Sequence, residues 1–462
     1  MPAGYTPSLY VVRSQVKSKA TGVDSLEPDR AAVVIVRKLL SSLPFVVSAR
    51  ERRAEPLGPV FLSYRTSDGR DLTLRLARAL RASGVPVWHD HQDLPPGDTE
   101  RSIADALASG LSGAVVVVTP EIAHSRAVRN QELPAFLKLE RDPRFILALA
   151  NTILGCHSAI DLDAPDRLLR PARPLRSIKQ YPLVSDSDIA ELARAIVMRR
   201  MYLHRASGNA SLVLDVQSRR EGTAWSTRAP LVVRTPVPEE GSRIPPPEIW
   251  EDLKSFLSLL TQLLEEAGAT ELVVRGGAHL SIALAIGTAV PRPAYRLAVE
   301  DKVRGLHWSD SMDGAPVHLD VVPEDRSRPG LAIAVLVDTV PTQPPHDTFG
   351  QQVERGKEVF SGSLRITKRQ SEIPPEAGAA TAARIAAIIR EFASQRQTNE
   401  VHLFPRMPWA LAVLLGRELN TFRLRLYEWD DLGGGQYRYA PTVVVAPGVG
   451  GGPIIEIAGT ME

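Results

Sequence analysis

Cysteine is almost absent from this sequence, since Cys156 is the only one among 462 residues. A single cysteine excludes intramolecular disulfides and any zinc site built from several thiolates. Such usage is typical of a reducing compartment, so we expect a cytoplasmic protein.

Long apolar runs are lacking as well. The longest, residues 280–290 and 409–415, fall well short of the roughly 20 residues that a membrane-spanning helix needs, and are typical of buried helices. Residues 1–20 contain scattered polar side chains and no apolar run of the signal-peptide type. We therefore predict neither membrane insertion nor secretion.

Neither sign of charge dominates. Lysine and arginine number 55 against 53 aspartate and glutamate residues, which gives a formal net charge of +2. Such a balance disfavours a protein that binds DNA or RNA polymers through a broad basic surface. An anionic ligand must therefore be bound by a few local cations.

The length of 462 residues and the hydrophobic content of 44% are enough for roughly three domains, each with its own core. Residues 1–56 form an N-terminal extension to which we assign no function.

The second half of the chain contains an internal repeat. Residues 244–301 align with residues 373–430 without a gap, so every matched pair has the same separation along the chain, which we call the repeat offset. The matched pairs include Glu271 with Glu400, Gly287 with Gly416 and Asp301 with Asp430. A duplicated unit predicts two similar lobes related by a pseudo-twofold axis, with a crevice between them where a ligand contacts both.

Between residues 57 and 205, apolar strand patterns alternate with helical ones, which predicts a parallel α/β sheet. We predict strands at 60–64, 85–88, 114–118 and 145–149, helices at 98–108, 128–139 and 187–203, and a proline-rich and arginine-rich connection at 164–182. A helix also follows the first strand, and residues 205–209 form a linker.

Each half of the repeat shows the same order of elements: an opening strand, a strand before the proline-rich turn, a helix, a strand, a second helix and a strand. The opening strands are predicted at 210–216 and 331–338. After the first helix, the strand, the second helix and the last strand are predicted at 271–275, 279–287 and 295–299 in the first half, and at 400–404, 408–419 and 423–427 in the second half. Gly433, Gly434 and Gly435 predict a hairpin turn.

The segment Val60-Phe61-Leu62-Ser63-Tyr64-Arg65, followed by Ser67-Asp68, resembles the first signature box of Toll/interleukin receptor (TIR) domains. Residues 88–97, 115–119 and 125–133 are similar to later parts of the family pattern, although Ala127 stands where the family usually has tryptophan. The resemblance covers residues 57–205 and implies a flavodoxin-like domain with a parallel sheet.

The resemblance implies a catalytic residue. In the branch of the family that hydrolyses NAD, a glutamate early in the helix after the second strand is catalytic, and Glu100 matches it by its spacing from Gly97. A carboxylate suits this reaction because cleavage of the nicotinamide–ribose bond develops positive charge on the ribose. The competing interpretation makes Glu100 a glutamate of the first helical turn, favoured by capping and by the helix dipole.

The resemblance also implies NAD-binding residues near the carboxyl edge of the sheet, where open α/β folds bind ligands. They are Tyr64, Arg65, Asp68, Trp88 and Asp93. The competing interpretations are that Tyr64 is an ordinary aromatic residue at a strand end and that Trp88 belongs to the core. His89, Asp90, His91 and Asp93 are metal-ligand types, but strand alternation divides them between two faces, so we predict no metal site.

The segment Leu403-Phe404-Pro405-Arg406-Met407-Pro408-Trp409-Ala410 and its repeat counterpart, which starts at Arg275, each form a strand, a short loop and a helix start. These residues resemble the SAVED domain, a fusion of two CARF-like lobes that senses cyclic oligonucleotides in bacterial antiphage signalling. The resemblance covers residues 208–462 and implies two Rossmannoid lobes, at about 208–325 and 329–462.

Several residues of this region are candidates for binding a cyclic nucleotide. Gly276 and Gly277 let the backbone approach a phosphate, and Pro408 leaves the helix amides facing the crevice. Arg406 adds charge and Trp409 a face on which a base can stack, unless Trp409 belongs to the core. The full set is Arg219, Gly276, Gly277, His279, Lys302, Arg406, Pro408 and Trp409. The competing interpretation of Arg219 and Lys302 is that they are exposed cations that contact only solvent.

The two resemblances together imply an effector of CBASS antiviral systems. Its TIR domain hydrolyses NAD⁺ as a substrate, without a cofactor, when the SAVED domain binds a cyclic oligonucleotide, expected to be a cyclic trinucleotide. Activation is expected to proceed by self-assembly into oligomers or filaments. The alternative is a non-catalytic TIR scaffold that recruits partners when the sensor is occupied.

Overall fold

The computed structural model describes residues 54–88, 110–155, 159–218, 228–234, 244–301, 305–326, 331–342, 346–356, 358–447 and 452–458. Most of the predicted N-terminal extension, the helix predicted at 98–108 and the glycines from 448 to 451 lie outside these ranges. Within them, no helix combines the length and the hydrophobicity that crossing a bilayer requires.

The first domain is built on a five-stranded parallel sheet with the order β2-β1-β3-β4-β5. Its strands are β1 (Val60–Ser63), β2 (Val87–Trp88), β3 (Gly113–Val118), β4 (Ile146–Asn151) and β5 (Gln180–Pro182). Every residue of β3 is buried, as its run of valines predicts for a strand covered on both faces. The parallel α/β prediction is confirmed.

The described helices of this domain are α1 (Thr66–Ala82), α2 (Leu133–Leu139), α3 (Ala164–Leu169) and α4 (Asp186–Ala206). The first three each join two consecutive strands, and α4 follows β5. A π-helical segment, Val128–Glu132, occupies the first part of the single helix predicted at 128–139. The prediction of a mere connection at 164–182 was wrong, because this stretch holds α3 and β5. The three residues of β5 carry no strand pattern of their own and form an edge strand only through pairing with β4.

The second half of the chain contains two further sheets. The first has the order β10-β9-β8-β6-β7, and the second the order β11-β13-β12-β14-β15-β16-β17. The first lobe consists of β6 (Ser211–Gln217), β7 (Leu231–Arg234), α5 (Pro247–Ala267), β8 (Glu271–Gly277), α6 (Leu280–Thr288), β9 (Arg296–Asp301) and β10 (Leu306–Ser309).

The second lobe repeats this arrangement and extends it at both edges. Its elements are β11 (Asp320–Asp325), β12 (Ile333–Asp338), α7 (Thr348–Arg355), β13 (Gly362–Thr367), α8 (Gly378–Gln395), β14 (Glu400–Arg406), α9 (Trp409–Glu418), β15 (Arg423–Gly433), β16 (Gln436–Val445) and β17 (Ile454–Ile457). Gly433, Gly434 and Gly435 have positive φ angles and form the predicted hairpin turn.

Strand β11 differs from the prediction in its position. The predicted lobe boundary, between residues 325 and 329, places this strand in the first lobe, whereas it pairs antiparallel with β13 in the second sheet. Its residues are all exposed, so the sequence pattern carries no signal of the sheet to which it belongs.

The contact between helices α6 and α9 is formed by equivalent residues of the two copies of the repeat. A Cβ atom on Gly287 would lie 2.0 Å from the carbonyl oxygen of Val413, and one on Gly416 would lie 2.2 Å from that of Leu284. Leu284 and Val413 are themselves separated by the repeat offset, as are the two glycines. The contact is therefore unchanged when the lobes are exchanged, as a pseudo-twofold relation requires.

The first domain is joined to the first lobe through a buried arginine. Arg200 of α4 donates to the carbonyl oxygens of Gly58, Ala229 and Pro230, at 2.9, 3.0 and 2.7 Å, and to Ser112 Oγ at 2.8 Å. Burial lowers the pKa of Arg200 to about 10. Helix α4 also packs on α5, and a single hydrophobic core continues from the first domain into both lobes.

The glycine contacts between α6 and α9 lead to a prediction. We expect Gly287→Ala and Gly416→Ala each to lower stability by about 1–3 kcal/mol, since the added methyl group overlaps the backbone of the facing helix. The midpoint of thermal unfolding, followed by circular dichroism, should fall accordingly. Gly277→Ala is the matched control, because its Cβ would meet only Gln217 Oε1, at 3.8 Å. Unchanged midpoints for both helix variants would contradict this account of the interface.

Candidate functional site

Two loops at the carboxyl edge of the first sheet are joined by a polar network around Glu121. Arg65 Nε lies 3.4 Å from Glu121 Oε2, and Ser67 Oγ donates to the same oxygen at 3.0 Å. Asp68 Oδ2 accepts from the backbone N–H of Glu121 at 3.0 Å. The structure thus brings together the predicted NAD-binding residues Arg65 and Asp68, through a partner that sequence reasoning missed.

Tyr64 and Trp88, two other predicted NAD-binding residues, are buried. Tyr64 is 7% exposed and lies beside Gly69. Trp88 is 5% exposed and stacks on Phe61, with ring centroids 4.5 Å apart. These surroundings favour packing for Trp88, while its contact with NAD stays a prediction.

A buried carboxylate fixes the end of β1. Ser63 Oγ donates to Glu132 Oε2 at 2.5 Å, and both residues are buried. Glu132 lies at the end of the π-helical segment. Sequence reasoning assigned Glu132 to a family element but missed this bond, because nothing in the sequence distinguishes a buried glutamate from an exposed one.

Glu100, the predicted catalytic residue, and Asp93 lie outside the described residues, as do His89, Asp90 and His91. Among the residues that are described, no group of three His, Cys, Asp or Glu side chains is arranged to hold a metal ion.

In the first lobe, the glycine pair and His279 have structural partners. Gly276 has a φ of +114°, and a Cβ there would lie 2.0 Å from the carbonyl oxygen of Val216, so the close approach of β6 requires glycine. His279 is 4% exposed, its Nδ1 lies 2.8 Å from Ser218 Oγ, and its backbone N–H donates to the same hydroxyl at 2.9 Å. Their roles in ligand binding stay predictions.

The N-terminus of α6 is occupied by a carboxylate from the second lobe. Glu428 Oε1 accepts from the backbone N–H of Ser281 at 2.7 Å and from Ser281 Oγ at 2.6 Å, in a buried position. A negative charge is stabilised there by the unpaired amides and the helix dipole. One of the amides available for a phosphate at α6 is therefore already used by the protein.

In the second lobe, Arg406 and Trp409 lie on either side of a short loop. Arg406 ends β14, and its Nη1 donates to Asp338 Oδ1 at 3.0 Å and to the carbonyl oxygen of Thr342 at 2.7 Å. Pro408 is the N-cap of α9, so Trp409 is the first residue of that helix. Trp409 is half-buried and packs against the main hydrophobic core.

Arg406 also lines a cavity of about 300 Å³ in the second lobe. The cavity lies where β12, β13 and β14 end, beneath the first turn of α7. Arg365 and Arg369 contribute further positive charge, and Trp429 and Tyr439 contribute aromatic surface. Sequence reasoning selected only Arg406 of this group, although Arg365, Thr367 and Arg369 alternate at a strand end in a way that could have indicated it.

Two carboxylates balance part of the charge in the cavity. Asp338, whose side chain is 1% exposed, lies 2.8 Å from Arg369 Nη1 and 3.0 Å from Arg406 Nη1. Asp347 forms a bidentate pair with Arg365, with both distances 2.9 Å. The Arg365 guanidinium holds the pKa of Asp347 below its usual range.

The remaining candidates, Arg219 and Lys302, lie outside the described residues.

Both parts of the chain match known domain families. Residues 60–173 match the TIR domain family. Residues 255–445 match SAVED, described as the SMODS-associated and fused to various effectors sensor domain.

A curated relative of the first domain is the NAD(+) hydrolase PdTIR of Paracoccus denitrificans. The two are 42% identical over 65 residues, which are 14% of this chain and 22% of that protein. The matched region thus spans about a fifth of the relative's length.

Solved structures similar to this chain include the Cap4 SAVED/CARF-domain containing receptor of Acinetobacter baumannii with the cyclic trinucleotide 2′3′3′-cAAA. It is 13% identical, with a TM-score of 0.41, and the match covers 81% of this chain and 97% of that one. The corresponding receptor of Moraxella osloensis is 11% identical, with a TM-score of 0.36, over 80% of this chain and 97% of that one.

The matched ranges follow the architecture: the first covers most of the parallel sheet, and the second begins within α5 and continues to the end of β16. The chain is therefore a fusion of a TIR domain with a SAVED sensor domain.

Proposed function

We propose that this protein is a cytoplasmic NAD⁺ hydrolase of a CBASS antiviral system, activated when its SAVED domain binds a cyclic oligonucleotide. The observation that carries the proposal is the presence, in one chain, of a TIR domain related to an NAD(+) hydrolase and of a domain of a sensor family fused to effectors.

The proposed reaction releases nicotinamide from NAD⁺ and leaves an ADP-ribose product. Glu100 stabilises the positive charge that develops on the ribose as the glycosidic bond breaks. Because nicotinamide leaves as a neutral molecule, no general acid is needed. The network of Arg65, Asp68 and Glu121 holds two loops of the carboxyl edge in place, where an open α/β sheet binds its ligand.

The proposed activator is a cyclic trinucleotide bound at the carboxyl edge of the SAVED lobes. Arg406 supplies a guanidinium for a phosphate, and Trp409 supplies an indole on which a base stacks. The two residues lie close together in the chain, on either side of one short loop, which suits contact with one ligand.

Activation is proposed to occur by assembly. A ligand held between similar but non-identical lobes leaves different surfaces on opposite sides of the sensor, and heterologous contacts produce open filaments unless the rotation closes a ring. Tethered TIR domains then reach a high effective concentration without a change in their own fold.

A non-catalytic scaffold is the second candidate function. The relationship to an NAD(+) hydrolase favours the enzyme. Nicotinamide release by the purified protein, measured with NAD⁺ and a panel of cyclic oligonucleotides, distinguishes the two.

We predict that Glu100→Gln reduces NAD⁺ cleavage by about a hundredfold or more, because it removes the charge that stabilises the transition state and nearly keeps the shape. Nicotinamide release in saturating activator measures the effect. Glu191→Gln is the matched control, since Glu191 is an exposed glutamate on α4. Retained turnover in the folded Glu100→Gln protein would exclude the catalytic assignment.

We predict that Trp409→Ala and Arg406→Ala each weaken binding of the activating cyclic oligonucleotide by about 1–3 kcal/mol, the scale of a base stack or of a charge-assisted contact. Isothermal titration calorimetry measures the change. Arg384→Ala, on the exposed side of α8, is the control. If both variants bind like the parent while remaining folded, the ligand does not contact this loop.

The assembly mechanism predicts that particle mass and NAD⁺ turnover rise together as activator is added. Light scattering and nicotinamide release, measured on the same samples, test this relation. A monomer that cleaves NAD⁺ at full rate in saturating activator would show that activation occurs within one chain.

A further inference from the structure

The strand end that carries Arg406 in the second lobe carries a glycine in the first. In the second sheet Asp338 pairs with Arg406 in register, and in the first sheet Gln217 pairs with Gly277 at the same place. Gly277 and Arg406 are separated by the repeat offset and are therefore equivalent positions of the two copies. The duplication has diverged here, and only the second lobe carries an arginine at this strand end.

The charged side chains of the first lobe are arranged differently. Asp215, whose side chain is 4% exposed, lies 2.7 Å from Arg234 Nη2 and 2.8 Å from Arg275 Nε. Arg275 also donates to the carbonyl oxygen of Arg228 at 2.9 Å. Two arginines of the first lobe thus face one buried aspartate, and these three groups also carry one excess positive charge.

In the second lobe, three arginines share two carboxylates. Arg365, Arg369 and Arg406 keep 25, 32 and 24% of their side chains exposed, although each is ion-paired. The five groups together carry one excess positive charge. A guanidinium has more N–H groups than one carboxylate can accept from, so each arginine can also bind an anion that enters the cavity.

Aromatic side chains line the same cavity. Trp429 is half-buried and stacks on Tyr437, with ring centroids 5.0 Å apart and an angle of 15° between the planes. Tyr439 is buried beside Phe404, and burial raises the pKa of its hydroxyl above the usual range. Arginines beside aromatic rings suit a ligand that is both anionic and aromatic.

We infer that this cavity binds one nucleotide unit, with its phosphate held by Arg365, Arg369 and Arg406 and its base against Trp429. A volume of about 300 Å³ is at the lower end of the range for small-molecule sites, which suits one unit and not a whole cyclic oligonucleotide. The inference rests on the proposed function to the extent that this unit belongs to the activating ligand. The second lobe is then the one that recognises the phosphate.

The test measures the binding of two kinds of probe to the full-length protein by calorimetry. One is a panel of cyclic trinucleotides that includes 2′3′3′- and 3′3′3′-linked triadenylates, and the other is adenosine 5′-monophosphate. We expect Arg365→Gln and Arg369→Gln each to weaken binding by about tenfold to a hundredfold, the scale of one charge-assisted contact. Arg365→Lys and Arg369→Lys keep the charge and should retain part of the affinity.

Arg438→Gln is the matched control. Arg438 lies 3.2 Å from the buried Asp430 and is therefore paired like Arg369, but it is not among the cavity residues. Its substitution should leave binding within about twofold of the parent, since it changes no contact with the ligand. Thermal unfolding shows whether each variant is folded. If a glutamine variant does not fold, binding by the corresponding lysine variant tests whether that arginine contacts the ligand.

The outcomes separate this inference from the proposed function. If the parent binds a cyclic trinucleotide and the cavity variants bind it equally well, the cavity is not the site, while the sensor function stands. If the parent binds only the monophosphate, and loses it in the cavity variants, the cavity is a nucleotide site and the proposed activator is wrong. Binding of neither probe would overturn both.

Discussion

The direct backbone contact between helices α6 and α9 is the constraint on which the arrangement of the SAVED lobes depends. Gly287 and Gly416 allow each helix to lie against a carbonyl oxygen of the other. Thr288 Oγ1 adds a hydrogen bond to the Gly416 carbonyl oxygen at 3.2 Å. Side chains at the two glycines would separate the helices, and the lobes could not keep their present distance.

Charged contacts extend this interface unequally on its two sides. Glu428 of the second lobe accepts from Ser281 at the start of α6, whereas Arg417 of α9 forms an ion pair with Asp310 of the first lobe. A symmetric contact of two helices is thus surrounded by asymmetric polar pairs. The same divergence places Arg406, which lines the cavity, in the second lobe, where the first lobe has Gly277.

Arg200 and helix α4 attach the TIR domain to the first lobe, whereas the cavity lies in the second lobe. Arg200 joins the TIR domain to the first lobe through neutral carbonyl groups, and α5 packs against both α4 and β17. An effect of a ligand in the second lobe can reach the first lobe through several contacts, among them that of α6 with α9 and that of β17 with α5. Both contacts are closely packed, since a Cβ on Gly452 would lie 2.8 Å from Ser258 N. Packed contacts of this kind transmit strain because they have little free volume.

The sequence by itself determined the α/β class with its parallel sheet, the duplication and the two domain families, because these depend on periodic apolar residues and on local motifs. The valines of β3 predict a buried strand wherever they occur, and the repeat offset is visible without coordinates. Only the tertiary structure decided which charged residues meet. Edge strands β5 and β11 exist through pairing alone. Arg365 and Arg369 come from the end of β13 and Arg406 from the end of β14, and all three line one cavity. Such contacts depend on distance in space between residues that are far apart in the chain, which no local pattern encodes.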